Sequence, residues 1–385
     1  MSDFIQKACR VLLASTMGAS EPVGNEFATG RIPRTFAVGE IINGRYRVDR
    51  FLAQGAMGEV YAAWDLQLNE TIALKTTTCA GLANAKSSAR IRAEVQLARR
   101  VTHPNVCRVL EFGLQRRVLR NEVEMVPFFT MEFLKGETLA EYMASCGKLP
   151  ELEVVQIASQ LLDGLSAIHA AGIIHRDLKP ENVFLLTTES GTLRIVVMDF
   201  GLARPLDRQS SVMSSEGGST AGTPAYMAPE QALGTLGSTA WDIYALGVIL
   251  FRLASGELPF KANNSVALAM AQLRESAPLL SHIVAGVDPR LEAIVSRCLE
   301  REPAKRFATV NEIQRAISTI GRRKRSKPRS RWRLTVLILL ATVGSALAVV
   351  AIGRSGARCV ASPVVSASVG TLPPDRLDGQ GSGQR

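Results

Sequence analysis

Eight consecutive residues, His175-Arg176-Asp177-Leu178-Lys179-Pro180-Glu181-Asn182, constrain this chain more than any other stretch. They place a candidate general base, two cations and a side-chain amide in one short segment. Seventeen residues after Asn182 comes Asp199-Phe200-Gly201, at the end of the strand-like run Ile195-Val196-Val197-Met198. A fold that uses both must bring a loop and a strand end to one point. There, Asn182 and Asp199 would offer hard oxygen ligands of the kind Mg2+ prefers beside phosphates. A carboxylate base with a lysine two residues on suits transfer of a phosphoryl group to a hydroxyl.

The patterns on either side of the run differ. Tyr46–Leu52 alternates as a strand does before a glycine turn, Glu59–Trp64 reads as the strand that leaves it and Thr71–Lys75 as a third strand, and Ala89–Val101 reads as a helix. From Glu151 onward the period is helical, with Ile157, Leu161, Leu165 and Ile168 on one face. The order predicts an α+β architecture, a small strand-rich lobe with one helix followed by a larger helical lobe. Between the first two strands lies Ala53-Gln54-Gly55-Ala56-Met57-Gly58-Glu59-Val60. Residues without side chains let backbone N–H groups approach phosphate oxygens. Lys75 ends the third strand and can neutralise phosphate charge if a carboxylate holds it. Glu94 on the helix is the natural partner, with Glu124 and Glu132 as rivals.

These motifs resemble those of the bacterial eukaryotic-type (Hanks-type) serine/threonine protein kinases over residues about 46–320. The resemblance implies the two-lobed protein-kinase fold, MgATP as phosphoryl donor (Mn2+ as the alternative ion) and protein Ser/Thr hydroxyls as acceptors. It assigns ATP contacts to Ala53, Gly55, Gly58, Val60, Ala73, Lys75, Glu94, Met131, Glu132 and Leu134. Ala53 stands where the first loop glycine is usual, and Met131 is the gatekeeper behind the base. Asp177 and Lys179 become catalytic, Asn182 and Asp199 metal ligands, and His175 and Phe200 packing residues. Arg176 implies an activation segment ordered by phosphate. Between Asp199 and Glu230 the acceptor hydroxyls are Ser210, Ser211, Ser214, Ser215, Ser219, Thr220 and Thr223; Thr220 is favoured, then Ser219. Thr223 belongs to substrate docking, Glu230 pairs with Arg306, and Asp242 braces the catalytic loop. A membrane-tethered pseudokinase would lack a lysine, base or metal ligand. A small-molecule phosphotransferase would not need the docking segment Gly222–Glu230.

The net charge of +10 does not point to nucleic acid, because it is local. Arg322–Arg333 holds eight Lys/Arg and no acid, residues 334–385 carry +2, and residues 1–321 are therefore neutral. After that block, Leu334–Ile352 is 19 residues without a charge, the length of a membrane span. A buried core helix is the bland alternative, and a nucleic-acid patch is the alternative for the basic block. The flanking cations place the preceding domain on the cytoplasmic side. The expected organisation is a flexible lead over 1–43, a kinase domain over 44–320, a basic juxtamembrane segment over 321–333, a single transmembrane helix over 334–353 and a short disordered outer tail over 354–385. The expected location is the inner membrane, with lipid and protein substrates as partners and a homodimer for trans-autophosphorylation. Six separated cysteines show no metal or redox spacing.

Overall fold

A computed structural model describes residues 34–55, 58–76, 85–119, 122–188, 191–200 and 224–323. The first lobe is a six-stranded antiparallel sheet in the order β1-β2-β3-β4-β6-β5. Its strands are β1 (Ile41–Ile42), β2 (Tyr46–Gly55), β3 (Gly58–Asp65), β4 (Glu70–Thr76), β5 (Val109–Leu119) and β6 (Glu122–Glu132). β4 is central and almost wholly buried, so its Ile72-Ala73-Leu74 run lacks an outward polar face. Helix α1 (Ala85–Ala98) packs on β5 through Ile91, Val95 and Ala98, which recur at helical spacing.

The expected flexible lead over 1–43 needs correction at its C-terminal end. Phe36 and Ile42 are buried with Tyr46, Tyr61 and Phe128 in the outer core of this lobe, and β1 pairs with β2. The Phe36 amide donates to Tyr61 Oη at 3.0 Å, and the Thr35 amide to Glu59 Oε2 at 2.8 Å. A strand two residues long carries little periodicity, so its apolar anchors are invisible to a pattern search.

The second lobe is mostly helical: α2 (Leu139–Cys146), α3 (Glu151–Ala170), α4 (Pro229–Ala232), α5 (Thr239–Ser255), α6 (Ser265–Arg274), α7 (Pro289–Cys298) and α8 (Val310–Arg323). A small sheet, β7 (Glu137–Thr138), β8 (Val183–Thr187) and β9 (Leu193–Val197), lies against it. Helix α3 starts behind Pro150 with Glu151 and Glu153 in its first turn, where the helix dipole favours anions. It stops before Gly172, whose φ is 74°. Its predicted stripe, Ile157, Leu161, Leu165 and Ile168, is fully buried. Helix α5 is buried on nearly every side and forms the axis of the lobe. The octapeptide connects α3 to β8, and Asp199 follows β9. Pairing of β8 with β9 brings the two motifs together.

The uncharged run at 334–353, its basic flank and the tail lie outside the described residues. Among the described residues, no helix is long and apolar enough to cross a membrane.

Candidate active site

The loop between β2 and β3 is held by pairing of Ala53 with Val60 and Gly55 with Gly58. Gly58 has φ 141°, and a Cβ there would lie 1.9 Å from the carbonyl oxygen of Thr76. Glycine is therefore required where β3 leaves the loop beside the end of β4. Ala53 is exposed and its φ is not positive, so alanine fits this first loop position without strain. Next door, Val60 pairs with Lys75, and Ala73 pairs with Met131. Val60, Ala73, Met131 and Leu134 thus form an apolar group bridging three strands and the segment that leads into the second lobe. The Glu132 amide donates to Arg108 O at 3.0 Å. Its side-chain Oε1 accepts from the Arg108 amide at 3.1 Å, and its carbonyl oxygen lies 4.0 Å from Cys107 Sγ.

Lys75 Nζ lies 2.7 Å from Asp199 Oδ2. Among the described residues, the ion pair of this lysine is therefore with the metal-ligand candidate, while Glu94 sits half-buried on α1. Asp177 Oδ2 is 2.9 Å from Lys179 Nζ. Asn182 Nδ2 donates to Asp177 O at 2.8 Å and to Asp177 Oδ2 at 3.3 Å. The Met198 amide donates to Asn182 O at 2.9 Å, which fixes the spacing between the loop and the strand end carrying Asp199. So Lys75, Asp177, Lys179, Asn182 and Asp199 converge, although 124 positions separate the first from the last.

A divalent ion fits this set. Asp199 Oδ1 is buried with no hydrogen-bond partner among the described residues, a costly state for a carboxylate oxygen unless something else satisfies it. With Asn182 Nδ2 committed to Asp177, the Asn182 side-chain oxygen is the second hard donor. Asp199 itself has φ 60°, and Arg176 has φ 68°. Such backbone is strained for residues other than glycine and persists where surrounding contacts hold it, often at functional sites.

The supports are explicit. Asp242, buried on α5, accepts from the His175 amide through Oδ2 and the Arg176 amide through Oδ1, both at 2.9 Å. His169 Nε2 is 2.7 Å from the same carboxylate. Arg306 is a buried guanidinium gripping Glu230 with both terminal nitrogens, at 2.7 and 2.8 Å. It also donates to the carbonyls of Glu300, Ala240 and Arg301, so its charge is fully coordinated. Both roles match the expectations for Asp242, Glu230 and Arg306. Ser210, Ser211, Ser214, Ser215, Ser219, Thr220 and Thr223 lie outside the described residues.

Three supporting residues had no signal in the sequence. Gln231 Nε2 donates to Arg176 O at 2.9 Å. Gln272 is buried on α6, and its Nε2 lies 3.3 and 3.2 Å from the carbonyls of Pro224 and Ala225. Arg252 donates to Tyr226 Oη at 2.5 Å. Burial pushes the Tyr226 phenol up despite the opposing charge of Arg252. Each works through a neutral or common side chain whose partner is remote in sequence.

A strand-rich lobe holding Lys75 is joined to a helical lobe holding Asp177, Asn182 and Asp199, a two-lobed layout with one convergent site. A family profile described as "Protein kinase domain" matches residues 46–316. The serine/threonine-protein kinase pkn3 of Myxococcus xanthus is 34% identical over 75% of this chain and 52% of its own length. PrkC of Bacillus subtilis is 31% identical over 73% and 41%, and PknA of Mycobacterium tuberculosis 31% over 74% and 64%. Among solved structures, the PknI kinase domain of Mycobacterium tuberculosis is 29% identical, covers 74% of this chain and 99% of its own, and superposes with a TM-score of 0.56. The chain belongs to the protein kinase domain family, within the bacterial Hanks-type serine/threonine kinases. It spans about 52% and 41% of the lengths of pkn3 and PrkC.

Proposed function

We propose that this chain transfers the γ-phosphoryl group of ATP to Ser and Thr hydroxyls of proteins. The observation that carries the proposal is the convergence of Lys75, Asp177, Asn182 and Asp199 on one site. Asp177 orients the acceptor hydroxyl and takes its proton as the new O–P bond forms and the bond to the ADP oxygen breaks. Lys179, 2.9 Å from Asp177, supplies positive charge to the transferring group, and Lys75 supplies it to the other phosphates. Asn182 and Asp199 would hold Mg2+, which would screen the phosphate charge. Val60, Ala73, Met131 and Leu134 enclose the adenine, with Glu132 O and the Leu134 amide on its polar edge. Glu94 on α1 is the carboxylate that would hold Lys75 toward the phosphates.

The same reading extends to regulation and place. The chain autophosphorylates between Asp199 and Glu230, with Thr220 first and Ser219 second, in trans within a homodimer. Arg176 receives that phosphate. Thr223 takes part in docking the Ser/Thr substrate. Residues 334–353 cross the inner membrane once, with the kinase domain cytoplasmic and 321–333 against anionic lipid. The deciding experiment is a phosphosite map after incubation with MgATP, wild type against Asp177→Asn. Phosphate on Ser or Thr in the wild type alone supports the reading. Equal incorporation in both, or none in either, sinks it.

A further inference from the structure

We infer that Gln231 is a positioning residue for Asp177, tying the helix after the docking segment to the strained backbone that carries the base. The inference rests on Asp177 being the base of the proposed transfer. Arg176 holds φ at 68°, and three consecutive peptide groups around it are fixed by side chains. Asp242 accepts from the His175 and Arg176 amides, which sets the two groups on the N-terminal side. The third group joins Arg176 to Asp177, and its carbonyl accepts from Gln231 Nε2 at 2.9 Å. Its own N–H reaches only 3.4 Å to His175 Nδ1, a weak contact. Asp242 and Gln231 therefore clamp opposite sides of the Arg176 Cα. Without the glutamine, the group leading into Asp177 loses its 2.9 Å hydrogen bond against rotation.

Gln231 is well placed to transmit order. It sits on α4 next to Glu230, which the buried Arg306 anchors, and the Tyr226 end of the preceding segment is held by Arg252 and Gln272. A docking segment seated in this way presents the amide of Gln231 to Arg176 O. One displaced from its seat withdraws that donor, and the base loses its fixed direction. Substrate docking and base alignment are thus coupled through one hydrogen bond.

The test uses the whole chain carrying Gln231→Met, Gln231→Lys and Gln231→Glu, with Asp177→Asn as the inactive reference. Methionine matches the length without a donor, and kcat for a Ser/Thr peptide falls about tenfold, equivalent to ~1.4 kcal/mol of transition-state stabilisation. The KM for ATP and the melting temperature stay near wild type. Lysine restores a donor and recovers most of the rate. Glutamate opposes its carboxylate to the carbonyl at high pH but can donate when protonated. Its carboxylate is ionised near neutrality, so its kcat stays at or below that of the methionine variant. Hydrogen exchange at the Asp177 amide, which needs no turnover, quickens in Gln231→Met. Wild-type kcat with unchanged exchange in the methionine variant overturns the inference. So does a loss shared equally by ATP affinity and melting temperature, which marks Gln231 as a fold support only. A wild type no more active than Asp177→Asn counts against the kinase reading instead, and the exchange measurement still decides whether Gln231 holds the loop.

Discussion

Gly58 is the residue whose side chain matters most by being absent. Any Cβ there meets the Thr76 carbonyl at 1.9 Å, whereas one at Gly55 meets nothing within 4 Å. Gly58→Ala should raise the KM for ATP about tenfold and lower stability by about 1–3 kcal/mol, because β3 must move away from β4. Gly55→Ala should leave the melting temperature near wild type, and steady-state kinetics with thermal melting of both variants checks the contrast. Charge at single residues is also legible in the structure. Arg45 holds the buried Asp65 carboxyl below the usual carboxylate range, helped by the amides of Gln67 and Leu68 and opposed by burial. A depressed folded value stabilises the protein above the unfolded value of about 3.9, and the gain disappears as pH falls through the lower folded value. Asp65→Asn should therefore cost about 2 kcal/mol near neutrality, with the difference from wild type beginning to shrink below about pH 4 and vanishing only below the lower folded value. Urea unfolding across that range measures it. A constant difference at every pH would show that the pair acts through packing alone.

At the scale of elements, α5 organises the second lobe. Its buried Asp242 reaches the catalytic loop, and its Gly247 lets α7 approach so closely that a Cβ would lie 2.7 Å from Cys298 Cβ. Gly247→Val should lower stability by about 1–3 kcal/mol, seen as a reduced urea midpoint with an unchanged slope. A midpoint equal to wild type would mean that the two helices separate freely. Burial also pushes the Cys298 thiol at this contact up to about 12, so it stays protonated and unreactive in the folded state. Element by element, legibility varied with length and period. The stripe of α3 and the alternation at the start of β2 were plain because several residues repeat one pattern. β1 and residues 34–40 were missed because Phe36 and Ile42 act singly.

The chain divides into two units, Met1–Lys324 and Arg325–Arg385. The proposed anchor lies in the second, and every catalytic candidate lies in the first. Deleting residues 324–385 should yield a protein that keeps the peptide-phosphorylation kcat within about twofold and stays in the supernatant after membrane sedimentation. The full chain should sediment with membranes and resist alkaline carbonate. A full chain released by carbonate would remove the membrane-span proposal. A folded but inactive truncation would show that the second unit does more than tether.

The sequence by itself determined the chemistry. A base, two lysines, an amide and two carboxylates are identifiable by residue type, and their short motifs survive without knowledge of their partners. It also determined the order of a strand-rich lobe before a helical one, since periodicity is a local property. Only the tertiary structure decided which of these groups meet. It paired Lys75 with Asp199, left Asp199 Oδ1 open to a cation, and set Asp242 and Gln231 on either side of Arg176. The physical reason is that a hydrogen bond or ion pair depends on separations of about 3 Å between atoms that lie tens of residues apart. No local pattern encodes such a distance; the buried packing of α5 and the β8–β9 pair does.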